Sequence, residues 1–151
     1  MKTAIARAIA SGLGAGCLPR APGTWASLLA AVAGAALLAL GHQAIFFAAI
    51  AAAIGGVWAI AAAGVGADDP GWVVIDEIAG QFLALLPLGA PRPWPILLGF
   101  GLFRLFDIWK PVPIGWLDRR HDALGVMGDD LVAGALAAAL LWLVLAGGGW
   151  R

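Results

Sequence analysis

Apolar runs long enough to bury or to cross a bilayer alternate along this chain with short polar breaks, and its charges collect in the breaks. Lys2 and Arg7 precede a short apolar stretch to Leu18, whose pattern predicts a short interfacial helix. The Arg20-Ala21-Pro22-Gly23 break follows, and Thr24 is placed to cap a helix with an apolar body over Trp25–Leu40. Only Gly41, His42 and Gln43 separate it from the next run, Ala44–Gly66, so the two are expected to form a tight antiparallel hairpin. Asp68-Asp69-Pro70-Gly71 reads as a turn, followed by a helix over roughly Trp72–Leu88. A proline-punctuated loop, Gly89–Pro95, leads to a fourth apolar segment over Ile96–Phe106. The fifth is Leu131–Ala146, headed by Asp129-Asp130. This pattern predicts an all-α fold: an integral membrane helical bundle of four to five transmembrane or membrane-embedded helices with a short N-terminal interfacial helix, in a single domain over 1–151.

Composition strengthens that reading. The chain is 62% hydrophobic and 12% charged, against about 25% charged in soluble domains. Its net charge is zero, which leaves no basic face to hold nucleic acid. A single cysteine, Cys17, excludes an internal disulfide and a cysteine-paired zinc site. The N-terminus is no convincing signal peptide or lipoprotein site, because Gly14 stands where a lipobox wants a large aliphatic residue and the run ends at Pro19-Arg20.

Charge position says more than charge sum. With the N-terminus in the cytoplasm, Lys2, Arg7, Arg20, Arg104, Lys110, Arg119 and Arg120 fall inside, and Arg92 and Arg151 outside. The same topology gathers all nine carboxylates on the cytoplasmic face. Helix dipoles and solvation do not require such a gathering. Carboxylates beside Arg and Lys are what a divalent cation and a phosphate together need.

The candidate chemistry follows from spacing. Asp76-Glu77 opens a helix, with Gln81 one turn beyond Glu77; a dipole pair worth about 0.3–1 kcal/mol is one reading, and oxygen ligands for Mg²⁺ the other. Arg104, Asp107 and Lys110 follow i, i+3 spacing on a helix that Pro111 and Pro113 terminate. Arg104 offers a bidentate fork for phosphate, Asp107 a metal ligand and Lys110 a further point charge; a merely neutralised Arg104–Asp107 pair is the plainer account. Asp129-Asp130 exceed what capping needs, although Asp129 fits an N-cap. Thr24 is a candidate phosphate contact, against the plainer reading of a cap beside an interfacial Trp25. The expected metal set is thus Asp76, Glu77, Asp107, Asp129 and Asp130, with catalysis assigned to Asp76, Glu77, Asp107 and Asp130 and phosphate binding to Arg104, Lys110 and Thr24. Asp118 and His121 read equally well as solvated loop residues, and His42 lies on the opposite face.

Four motifs in order, PGTW (Pro22–Trp25), DDP…VVIDEIAGQ (Asp68–Gln81), LFRLFDIWKPVPIGWLD (Leu102–Asp118) and LGVMGDDLVAG (Leu124–Gly134), resemble the phosphatidylglycerophosphatase A family over nearly the whole chain. The resemblance implies a Mg²⁺-dependent enzyme of the bacterial inner membrane that removes the terminal phosphate of phosphatidylglycerophosphate to give phosphatidylglycerol. Two positions depart from the pattern. Asp68 stands where lysine is common, and Asp122-Ala123 replaces a glycine pair, which bears on the loop near His121. No Cys-x₅-Arg loop, His pair or DxDx(T/V) signature occurs. Water attacking phosphorus with metal assistance, with carboxylates holding Mg²⁺ and one taking the proton, is therefore expected over a covalent route, with an aspartyl-phosphate as the alternative. The rival class is a divalent-cation transporter or channel, since intramembrane acids also mark ion paths. An assembly or scaffold protein would leave Arg104 and Lys110 unexplained.

Overall fold

A computed structural model describes residues 1–112, 114 and 119–148. Asp118, Pro113 and Arg151, which the sequence reading touched on, lie outside the described residues. The described residues form no strand; they contain six α-helices: α1 (Lys2–Ala10), α2 (Pro22–Leu40), α3 (His42–Ala63), α4 (Ile75–Leu85), α5 (Pro93–Trp109) and α6 (Ala123–Gly147). Three of them, α2, α3 and α6, are long and apolar enough to cross a membrane.

The helix ends differ from the sequence expectation for local reasons. Thr24 does not cap α2; the helix starts at Pro22, whose fixed φ suits a first turn, and Ala21 is the N-cap residue. The same preference draws Pro93 and Pro95 into the start of α5 rather than into a loop. Asp129 is not an N-cap either. Helix α6 begins at Ala123, capped by Asp122, whose carboxylate accepts the Gly125 N–H at 2.7 Å. Asp129 and Asp130 consequently stand about two turns inside a long helix. Only Gly41, at φ +126°, separates α2 from α3, and His42 Nε2 at this bend lies 2.7 Å from the Leu86 carbonyl.

The shortest of the inner helices is the central one. Ile75, Ala79, Phe82, Ala84 and Leu85 of α4 enter all three buried apolar clusters among the described residues. Around it, Val32, Phe47, Ile54, Leu97, Ile108 and Leu143 point their apolar side chains outward. Such a surface suits lipid, where apolar burial no longer drives helices together and close backbone approach must do so. Glycine supplies that approach. A Cβ on Gly134 would collide with the Gly80 carbonyl, so α4 and α6 touch backbone to backbone. Gly56 makes room for the Met127 side chain, joining α3 to α6.

Register fixes which ends meet. Gly23 lies against Glu77, and Gly34 against Leu85 and Phe82, so α2 and α4 run in the same direction. Gly99 meets Leu85 and Leu141 while Gly80 meets Phe103, so α5 runs against α4. The start of α2, the start of α4, the end of α5 and the start of α6 thereby come to one end of the bundle.

Candidate active site

Three carboxylates reach one point from two helices. Asp76 and Glu77 stand in the first turn of α4 and Asp130 inside α6, and one oxygen from each lies within 4.8 Å of the other two. The backbone contact at Gly80 and Gly134 sits directly behind them: a Cβ on Gly80 would come within 2.6 Å of the Asp130 carbonyl oxygen. From the other side α2 approaches so closely that a Cβ on Gly23 would collide with Glu77 Oε1. Residue 23 has to be glycine for the Glu77 carboxylate to stay where it is.

A polar chain of contacts continues from this point. Asp107, on the last turns of α5, lies close enough for its charge to act on both Asp130 and Glu77. Arg104 Nη1 lies 2.5 Å from Asp107 Oδ2, in a pair whose side chains are 16% and 14% exposed. The same Nη1 donates to Ser27 Oγ at 3.3 Å, and Ser27 Oγ donates to the Gly23 carbonyl at 2.7 Å. Arg104 thus has its guanidinium fixed from α2 as well as from its own helix.

Burial is the first cause that pushes the Asp76 carboxyl well above the usual range, followed by the charges of Glu77 and Asp130. Burial likewise raises Glu77. A cation among these carboxylates would supply opposite charge and favour their ionised forms. Several polar atoms around this point lack a partner. Asp76 Oδ1, Glu77 Oε2, Arg104 Nε and both amide atoms of Gln81 are buried without a hydrogen-bond partner among the described residues. Each such atom costs about 1–3 kcal/mol until it is satisfied. The donor set is all oxygen, with orphaned carboxylate atoms turned inward, and fits a hard divalent cation.

Of the residues expected from sequence, Asp76, Glu77 and Asp130 come together, while Asp107 stays outside this three-carboxylate cluster and pairs with Arg104. Asp129 does not join the three-carboxylate cluster. Its Oδ2 takes the Lys110 ammonium at 2.9 Å, and its Oδ1 accepts the Asp130 N–H at 2.9 Å. Lys110 accordingly engages a carboxylate of α6. Thr24 is half-buried in the first turn of α2, beside Gly23. Ser27 and Gly23 were not legible as site residues: a serine in an apolar helix and a glycine in PGTW carry no signal until α2 is laid against Glu77 and Arg104.

A cavity of about 330 Å³, lined by Asp68, Asp69, Arg120, His121 and Asp129 among others, opens beside the cluster. Arg120 is paired with Asp122 at 2.7 Å, and this pairing first, then the Gly125 N–H, lowers the Asp122 carboxyl below its usual value. Asp122 therefore caps the start of α6. The larger cavity, about 480 Å³ between Pro87, Arg92 and Trp142, is at the opposite end and holds none of the expected site residues.

Comparison with known proteins adds an independent finding. A family model described as phosphatidylglycerophosphatase A matches residues 8–145. An Escherichia coli K12 protein named phosphatidylglycerophosphatase A is 34% identical over 139 residues, covering 90% of this chain and 81% of its own. A Haemophilus influenzae protein of the same name is 36% identical over 140 residues, covering 90% and 86%. A Bacteroides thetaiotaomicron protein provisionally named a phosphatidylinositol-3-phosphatase is 34% identical over 148 residues, covering 90% and 93%. No solved structure matches the chain.

Proposed function

The chain belongs to the phosphatidylglycerophosphatase A family and is a phosphatase, and from that premise we propose that it hydrolyses the terminal phosphate of phosphatidylglycerophosphate with the help of Mg²⁺. The observation that carries the reading is the meeting of Asp76, Glu77 and Asp130 within 4.8 Å, with the Arg104–Asp107 pair against them. Asp76, Glu77 and Asp130 would hold the cation, and Asp107 would hold Arg104 beside it. When bound, Mg²⁺ supplies the charge that neutralises phosphate oxygens and lowers the pKa of water.

The protein's own groups do the remaining work. Arg104, fixed by Asp107 and Ser27, presents a guanidinium to the phosphate oxygens. One carboxylate of the set Asp76, Glu77, Asp107 and Asp130 would take the proton from the attacking water. Thr24 lies within the same first turn of α2 and is a second contact for the phosphate. Lys110, tied to Asp129, adds positive charge at the rim.

The substrate is a lipid, and the protein is built to meet it in the bilayer. Helices α2, α3 and α6 span the membrane, α4 and α5 are embedded among them, and α1, packed through Ala6 and Ala10 with Lys2 exposed, lies at the interface. Seven of the nine Lys and Arg residues fall on the side of the site, which supports an inner-membrane protein with the site facing the cytoplasm. The divalent-cation transporter reading lacks support, because every described acid lies at one end of the bundle and the relatives carry phosphatase names.

Phosphate release by the purified protein from vesicles containing phosphatidylglycerophosphate tests the proposal. Release that stops on chelation and returns with Mg²⁺ is expected; no release with Mg²⁺ present rejects it. For topology, a cysteine introduced at Arg119 in a Cys17→Ser background should be labelled from the cytoplasmic side only.

A further inference from the structure

Gln81 is completely buried, and neither atom of its amide has a hydrogen-bond partner among the described residues. An apolar side chain of the same volume would fill this position without leaving two polar atoms unsatisfied. Its surroundings follow from helix register. Gln81 is one turn past Glu77 on the same face of α4, and α2 runs alongside in the same direction, from Gly23 at Glu77 to Gly34 at Phe82. That register sets Gln81 level with the α2 turn carrying Ser27, the residue that holds Arg104. Arg104 Nε is the other buried nitrogen left without an acceptor. Two sets of N–H donors therefore lie beneath the carboxylate cluster with nothing to donate to, and they are supplied by a neutral amide and a guanidinium.

Donors buried without acceptors under a cation site are complementary to an anion that enters with the cation. Resting on the phosphatase reading above, we propose that Gln81 is a substrate-contacting residue: its Nε2 donates to an oxygen of the reacting phosphate beside Arg104, and its Oε1 accepts from water bound with that anion. A neutral donor suits this place. It binds the oxyanion without pairing with Asp76 or Glu77, as a second cation there would.

Gln81→Met, nearly the same size without either polar atom, and Gln81→Glu, the same shape without the donors, test the assignment in the full-length protein. The readouts are melting temperature in detergent, turnover of phosphatidylglycerophosphate, and inhibition by inorganic phosphate. Gln81→Met is expected to melt at or above the parent's temperature, to lose turnover by on the order of 10²-fold and to bind inorganic phosphate at least about 10-fold more weakly, as when a preorganised donor is removed. Gln81→Glu is expected to lose at least as much, because its carboxylate repels the anion. A Gln81→Met protein that melts lower while its phosphate inhibition is unchanged overturns the proposal, as does a Gln81→Glu protein as active as the parent. If the parent releases no phosphate from this lipid, the substrate reading fails; calorimetric binding of inorganic phosphate to parent and Gln81→Met still decides the role of Gln81.

Discussion

Lys110 Nζ donates to Asp129 Oδ2 at 2.9 Å, tying the last residue of the α5 cap to the second turn of α6. Adjacent residues on a helix point about 100° apart. With Asp129 taken by Lys110, its neighbour Asp130 is the one that faces Asp76 and Glu77. Lys110 adopts a left-handed backbone at φ +46°, which turns the chain off α5 just before Pro111. Replacing it with Met leaves the 9%-exposed Asp129 side chain without this cation. The pair is neither fully exposed nor fully buried, so Lys110→Met should cost about 1–2 kcal/mol. Denaturant unfolding in detergent measures it, and adding Asp129→Leu to Lys110→Met should recover most of the loss.

Asp76→Asn and Asp130→Asn are each expected to abolish turnover in a protein that still folds and inserts. Without divalent cation the like charges of the cluster oppose folding, so these variants should melt no lower than the parent. Added Mg²⁺ should raise the melting temperature of the parent and leave that of either variant nearly unchanged, since only a cation bound to the native state stabilises it. Near-normal activity in both variants would remove the carboxylate cluster from the mechanism.

Arg104→Lys separates a structural ion pair from a phosphate grip. Lysine keeps a charge beside Asp107 but loses the planar fork that Ser27 and Asp107 align. Turnover at saturating Mg²⁺ should fall on the order of 10²–10³-fold. A rate within about twofold of the parent would move the phosphate contact elsewhere, with Lys110 next in line.

Asp122 gives the protein an acid-sensitive junction. Its carboxyl is lowered by Arg120 and by the Gly125 N–H, so the ionised form is favoured in the folded state. The stability it contributes is present above the unfolded-state value of an aspartate and is lost as pH falls through the lower folded value. Asp122→Ala should therefore melt below the parent at neutral pH, and the gap should close in strong acid. Melting curves of both proteins across pH check this.

Much of the molecule was written in the order of its residues. Apolar runs spaced by polar breaks establish an all-helical membrane architecture, because a bilayer admits a backbone only when its polar groups are paired within the segment. The motifs around Asp76, Arg104 and Asp130 likewise mark which charges are candidates for the chemistry, since a charge in so apolar a chain needs a reason to persist. Helix ends were less legible: Pro22 and Pro93 serve as first-turn residues, and Asp122 as the cap of α6, by local geometry that apolar periodicity does not report. The division of labour between Asp129 and Asp130, by contrast, was decided by tertiary structure. Two adjacent aspartates are equivalent on paper, and only the position of Lys110 on another helix turns one to an ion pair and leaves the other for the cluster. The same holds for Gly23 and Ser27, whose contacts with Glu77 and Arg104 exist only because α2, α4 and α5 are packed in register, and register is set by side chains far apart in the chain.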